Sequence, residues 1–320
     1  MYVCISSSFF PRTYEPLMVL LFSTRLRPLH NTILRSSSSK AQFFFLQPQQ
    51  QAPLRSIANR LYTMASQQNS DIHLYTAQTP NGIKVSILLE ELGVPYKVTA
   101  IDISKDVQKE PWFLEINPNG RIPALTDVLE DGTPISLFES GAIMQYLVER
   151  YDSKEHKVSY PQGSKEYYQT QSWLFWQMGG LGPMQGQANH FTRYAPEKIQ
   201  YGINRYQNET RRLYRVMDKQ LEKNGTGYLV GDKATIADFS CWGWVAAHGW
   251  CGIKDFDTQF PNLNKWLNKL LERPGLEKGR HVPSKHTIME KNKLSEEELD
   301  KMAESSRAWV QKGMAEDAKK

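Results

Sequence analysis

Asn117-Pro118-Asn119-Gly120-Arg121-Ile122-Pro123-Ala124-Leu125 is the stretch whose reading decides the fold. A turn-forming quartet runs through a proline into a short apolar strand. With Ile122–Pro123 in the cis form that a proline opening a buried strand can adopt, the bend leaves the N–H and C=O of Ile122 free at a sheet edge. There they can pair with an extended peptide as another strand would. After a hairpin turned by Asp131-Gly132, the chain reads Phe138-Glu139-Ser140-Gly141-Ala142-Ile143, where a strand gives way to a helix. That places a carboxylate and a hydroxyl beside unpaired helix N–H donors. A ligand α-amino group suits Glu139, and its α-carboxylate suits Ser140 and the helix N-terminus. Taken singly, Pro123 reads equally as a turn proline and Glu139-Ser140 as a helix cap. In this order they form a site for one small zwitterionic peptide.

Working outward, the pattern from Ile72 predicts strand 72–75, helix 83–92, strand 96–101, helix 111–116, strand 124–127, strand 135–138 and helix 141–151. Val85, Leu88, Leu89 and Leu92 recur at helical spacing, with Gly93 at the C-terminal cap. The order β-α-β-α-β-β-α is that of a thioredoxin-like α/β domain, assigned to residues 71–152. Beyond the polar linker 152–164 the strand patterns stop, and helical spacing predicts an all-α domain over 164–280. Thr235-Ile236-Ala237-Asp238 has the form of a capping box. Trp173, Trp176, Trp242, Trp244, Trp250 and Trp266 fall at helical intervals, and most are expected in the core. Gly179, Gly180, Gly182 and Pro183 weaken a helix by roughly 1 kcal/mol per glycine and more for the proline, which predicts a kink or break. Residues 281–320 read as a charged tail or solvated helix.

With 40% hydrophobic and 23% charged residues, the 320-residue chain can bury two domain cores. Its net charge of +5 is uneven: residues 1–63 hold six Arg, one Lys and one acid, leaving 32 basic and 33 acidic residues elsewhere. The folded part therefore has no basic excess for nucleic acid. No apolar run approaches the ~20 residues of a membrane span. Residues 1–63, rich in Arg and Ser, fit a disordered extension or mitochondrial presequence, while Met64 offers a start for a cytoplasmic form. Cys4, Cys241 and Cys251 lie too far apart for a redox pair or a metal cluster. The last two read as packing thiols, so any catalytic thiol must come with the ligand.

Together with Thr79-Pro80-Asn81-Gly82 and the block Trp173–Gln187, with His190-Phe191 and Arg205-Tyr206 beyond it, these motifs resemble the glutathione transferase superfamily. The resemblance spans about 72–280 and is strongest to the bacterial nu class and the related fungal branch that includes a nitrogen-repression regulator. It implies the cytosolic glutathione transferase fold, glutathione as co-substrate, no metal, and a homodimer. Thr79 and Asn81 match positions that contact the thiol, although Thr-Pro-Asn-Gly is also ordinary turn chemistry. Gln108 and Arg121 match residues around the glycine end of glutathione; both could otherwise be surface residues. Arg205 matches a helical-domain arginine that approaches the ligand, or is a surface ion pair. Tyr75, Ser86 and Tyr96 are residue types that activate the thiol in other classes, but none occupies the turn as well as Thr79 and Asn81.

A free thiol has a pKa near ~8.5, so glutathione needs donors that stabilise its thiolate. Two reactions follow from the resemblance: disulfide reduction by thiol–disulfide exchange through bound glutathione, and weaker transfer of glutathione to a small electrophile. The lack of Cys in the 79–82 turn argues against a mixed disulfide with the protein. The alternative of another class is a non-enzymatic glutathione-binding regulator, for which the extension carries Gln47-Pro48-Gln49-Gln50-Gln51 but no long Asn/Gln tract.

Overall fold

A computed structural model describes residues 70–319; the 1–63 extension and Cys4 lie outside the described residues. Four strands, β1 (His73–Thr76), β2 (Lys97–Ala100), β3 (Ala124–Val128) and β4 (Pro134–Phe138), form one mixed sheet in the order β2-β1-β3-β4. β1 pairs parallel with β2 and antiparallel with β3, which pairs antiparallel with β4. Helices α1 (Gly82–Leu92), α2 (Pro111–Leu114) and α3 (Ser140–Tyr151) complete the expected β-α-β-α-β-β-α order. The expected boundaries fall within two residues of these. Gly93 caps α1 at φ 68°, and Gly132 turns the hairpin at φ 86°. The Ile122–Pro123 bond is cis, and Ile122 lies two residues before the last β1–β3 pair, Ala124 with Tyr75.

The all-α part comprises α4 (Lys165–Trp176), α5 (Gly182–Asn189), α6 (Gln200–Asn224), α7 (Ile236–Ala246), α8 (Phe256–Gln259), α9 (Pro261–Leu271), α10 (Pro274–Gly279), α11 (Ile288–Lys291) and α12 (Glu296–Asp317). Of the kink or break expected at the glycines and proline, the break does not occur; the irregularity there is a widened turn. A π-helical turn over Gln177–Leu181 links α4 to α5, and a second, His190–Tyr194, follows α5. Widening one turn to i→i+5 bonding absorbs an extra residue without ending the helix, and Pro183 sits in the first turn of α5, where its missing N–H costs least.

Helix α1 is the keystone. The predicted face of Val85, Leu88, Leu89 and Leu92 is buried, but so are Lys84, Ser86 and Ile87, because α3 and the sheet flank one side and α7 and α10 the other. A helix enclosed on all sides loses its amphipathic signature. Glu91 accepts both Arg273 nitrogens at 2.9 and 2.6 Å and the Leu276 N–H at 3.0 Å, tying α10 to α1. In the helical domain the capping box forms as expected. Asp238 accepts from the Thr235 N–H at 3.0 Å and also from the Leu229 N–H and the Trp266 indole. Trp242 and Trp266 are core residues.

The charged C-terminal segment, read as a tail or a solvated helix, is helical, but α12 is not fully solvated: it packs back with Leu299 and Ala303 fully buried. Buried Arg193, in the second π turn, holds it through Glu296 at 2.7 Å and Asp300 at 2.9 Å. Part of the anchoring is ionic, so the apolar count of the segment understates its packing. Among the described residues no helix is long and apolar enough to cross a membrane.

Candidate functional site

The loops at one end of the sheet enclose a cavity of about 360 Å³ against the helical domain. Of the nine residues singled out in the sequence, Thr79, Asn81, Gln108, Arg121, Ile122, Pro123, Glu139 and Ser140 line it. Arg205 does not: it is exposed on α6, one turn from Glu209, whose carboxyl is held low chiefly by its hydrogen bond to Arg212.

Each side chain is set by its local fold. At the β1–α1 turn the Thr79 hydroxyl accepts the Gly82 N–H at 3.0 Å, which leaves its own proton free to donate. Gly82 is required there, since a Cβ would collide with the Ala77 carbonyl. The Trp244 indole N–H donates to the Asn81 side-chain oxygen at 3.1 Å. Because an indole only donates, this contact fixes the amide orientation and turns the Asn81 NH2 away from it. The turn therefore presents hydroxyl, amide and helix-terminal N–H donors, the set that favours an anion.

On the opposite bank, Asn117 closes an Asx turn onto the Asn119 N–H at 2.9 Å and donates to the Arg121 carbonyl at 2.6 Å, fixing the approach to Ile122. Glu139 adopts φ 67° and ψ 113°, a conformation that costs a non-glycine residue of order 1–3 kcal/mol and persists only where the surrounding structure holds it. Its carboxylate stands exposed at the mouth, next to the buried Ser140 at the first turn of α3. Gln108 borders the cavity largely buried, and its side-chain oxygen has no protein partner.

Met178 joins the lining from the first π turn, and Ile103, Trp244 and Trp309 were not singled out in the sequence as site residues. Trp244, expected in the core, borders the cavity with its indole edge. Trp309 arrives on α12, more than 160 residues away in sequence from Ser140. Beneath Ser140 lies fully buried Lys84, whose Nζ is 3.1 Å from Ser140 Oγ, 2.5 Å from Gln177 Oε1 and 3.6 Å from Met178 Sδ. Burial lowers its pKa to about 7. A lysine set between Ile83 and Val85, in the apolar first half of the helix, was the available signal.

The other thiol-activating residue types sit elsewhere. Ser86 donates to the Gly279 carbonyl at 2.8 Å, Tyr96 to Glu90 at 2.9 Å, and Tyr75 bonds His73 at 3.1 Å. Cys241 and Cys251 are buried, and desolvation pushes both thiols up to about 12, so neither is a ready nucleophile. Among the described residues no group of His, Cys, Asp and Glu is placed to hold a metal ion.

The family models of the glutathione S-transferase N-terminal and C-terminal domains match residues 80–150 and 188–278. The chain is 43% identical over 205 residues to the disulfide-bond oxidoreductase YfcG of Escherichia coli, covering 63% of this chain and 91% of that protein. A glutathione transferase homolog from Lodderomyces elongisporus, crystallised with two glutathione molecules per subunit, matches with a TM-score of 0.63 and 48% identity, over 67% of this chain and 99% of that one. The transferase URE2P6 of Phanerochaete chrysosporium, in complex with oxidized glutathione, gives 0.61 and 44%, over 66% and 95%. With both domain models matched in order around this cavity, the chain belongs to the glutathione S-transferase family.

Proposed function

We propose that this protein is a glutathione-dependent disulfide reductase that also transfers glutathione to small electrophiles. The observation that carries it is the Thr79–Asn81 turn: its donors are oriented by Gly82 and Trp244, and both described cysteines are buried in the helical domain. In this reading the glutathione α-ammonium meets Glu139, and its α-carboxylate meets Ser140 and the first turn of α3. Its backbone lies along Ile122 beside Pro123, and its glycine end reaches Gln108 and Arg121. The thiol then faces Thr79 and Asn81, whose donors stabilise the thiolate relative to the thiol.

The thiolate attacks one sulfur of a small disulfide, forming a glutathione mixed disulfide and releasing the other sulfur as a thiolate that takes up a proton. A second glutathione thiolate attacks the glutathione sulfur of that mixed disulfide, giving glutathione disulfide and the second free thiol. Two glutathiones are oxidised for each disulfide reduced. The relatives crystallised with two glutathiones or with oxidized glutathione support room for such a pair, and a larger cavity of about 680 Å³ adjoins the first across Asn81, Met178 and Trp244. When the acceptor is an electrophilic carbon, the same thiolate forms a thioether.

The working protein is a homodimer in this reading, supported by the exposed aromatic side chains Trp112, Phe138, Tyr168 and Phe175. It acts in the cytoplasm, with a mitochondrial form where residues 1–63 serve as a presequence. Purified full-length protein is expected to reduce 2-hydroxyethyl disulfide with glutathione faster than it conjugates an aryl halide. Tight glutathione binding with neither activity would instead favour the regulator.

A further inference from the structure

Resting on the glutathione reading, we propose that Lys84 is a positioning residue: its buried ammonium, acting through the Ser140 hydroxyl, holds the ligand α-carboxylate at the N-terminus of α3 and makes carboxylate binding take up a proton. The argument starts from an inventory of donors and acceptors. A lysine ammonium has three N–H donors and no acceptor. Ser140 Oγ, Gln177 Oε1 and Met178 Sδ supply one acceptor each, so the charged form is hydrogen-bonded, yet none of the three is an anion. A fully buried cation surrounded by neutral groups is costly unless charge arrives.

The charges that face it do not supply the counter-ion. From the α3 side the nearest is Glu139, which is exposed at the cavity mouth. From α7 it is the Cys241 thiol, held neutral by burial. The acids of α1 itself, Glu90 and Glu91, lie at the far end of the helix and pair with Lys278 at 2.6 Å and Arg273 at 2.6 Å. Gln177 and Met178, in the π turn, carry no charge.

Ser140 gives the arrangement its direction. Since its oxygen accepts from Lys84, its proton must be donated elsewhere, and in the unliganded chain the acceptor is Met178 Sδ at 3.5 Å. A thioether is a weak acceptor. A ligand carboxylate at the cavity face of Ser140 replaces it with an anion, completing the chain carboxylate, Ser140 hydroxyl, Lys84 ammonium. The anion favours the charged lysine, and by linkage the charged lysine favours the anion. Lys84, poised near neutrality in the free protein, is then protonated more fully in the complex.

The test is calorimetric titration of the full-length chain with S-methylglutathione, which keeps the amine and both carboxylates but has no titrating thiol. It is run at pH 7 in two buffers of different protonation enthalpy, and again from pH 6 to 9. If the carboxylate raises Lys84 by about one pKa unit, the wild type takes up about 0.4 proton at pH 7, because the ligand amine, an amino-acid ammonium beside its own carboxylate, is already protonated there and adds almost none. Lys84→Met and Lys84→Gln are expected to take up almost none, and wild-type affinity should fall about tenfold more than theirs across the pH range. Lys84→Gln, which keeps a donor for Ser140, should bind as the wild type does at pH 9. A wild type that binds with almost no uptake would overturn the inference and leave the glutathione reading standing. No binding at any pH would remove both. Should the variants fail to fold, the wild-type uptake alone decides.

Discussion

The two walls of the cavity are built in different ways. The wall from the thioredoxin-like domain is built chiefly from three short contiguous segments, 79–82, 121–123 and 139–140, whose turns close locally, as in Thr79 onto Gly82 and Asn117 onto Asn119 and Arg121. Trp244 and Lys84 add long-range bonds to Asn81 and Ser140. The wall from the helical domain consists of single side chains delivered by distant elements: Met178 from a π turn, Trp244 from α7 and Trp309 from α12. The first wall is a set of backbone donors and fixed polar groups, suited to a ligand that never changes. The second is apolar and assembled by packing, so it can vary without disturbing the first. Under the proposed function this becomes a division of labour: one wall would bind and activate glutathione, and the other would select what glutathione reacts with.

The largest expected effect concerns the ion beneath the first wall. Lys84 has a folded pKa of about 7 against 10.5 when unfolded, so the folded protein binds fewer protons between these values. Wild-type stability therefore rises as pH increases from 7 toward 10.5, falls back as pH drops from 10.5 to 7, and changes little with this group below 7, where both states carry the proton. Lys84→Met removes this dependence, and in denaturant unfolding it should exceed the wild type by up to about 4 kcal/mol near pH 6, with the gap closing by pH 10. A gap independent of pH would contradict the buried-cation description.

Next, Asn81→Ala removes an oriented donor from the thiolate site and is expected to lower kcat/KM about 100-fold in both the reductase and the transferase assays. Full activity in both would break the assignment of the first wall. Trp309→Ala tests the other side. It should raise KM for an aryl halide about tenfold while leaving KM for glutathione within about twofold. Equal changes in the two constants would dissolve the division of labour. The smallest effect belongs to Cys241→Ala with Cys251→Ala, expected to stay within about twofold of wild-type turnover, because both thiols are buried and protonated.

The same contrast explains what was legible in the sequence. Thr79–Gly82, Ile122–Pro123 and Glu139–Ser140 are contiguous, and turn, proline and cap chemistry act locally, so their placement could be read directly. Trp244 looked like any core aromatic, since only the packing of α7 on the 79–82 turn brings its indole to Asn81. Trp309 lay in a segment whose charges suggested solvation, and buried Arg193, which collects Glu296 and Asp300, has no mark in the local sequence. Gly179 to Pro183 announced an irregularity without telling a π turn from a break. Arg205, carried over by resemblance alone, is exposed on α6 and does not line the cavity.

Glutathione-dependent reduction of 2-hydroxyethyl disulfide by the full-length chain, compared with its Cys241→Ala/Cys251→Ala and Asn81→Ala variants, tests the central claim most directly. The account predicts turnover that survives the loss of both buried cysteines and falls about 100-fold without the Asn81 amide. Turnover that disappears with the cysteines and is indifferent to Asn81 would contradict it.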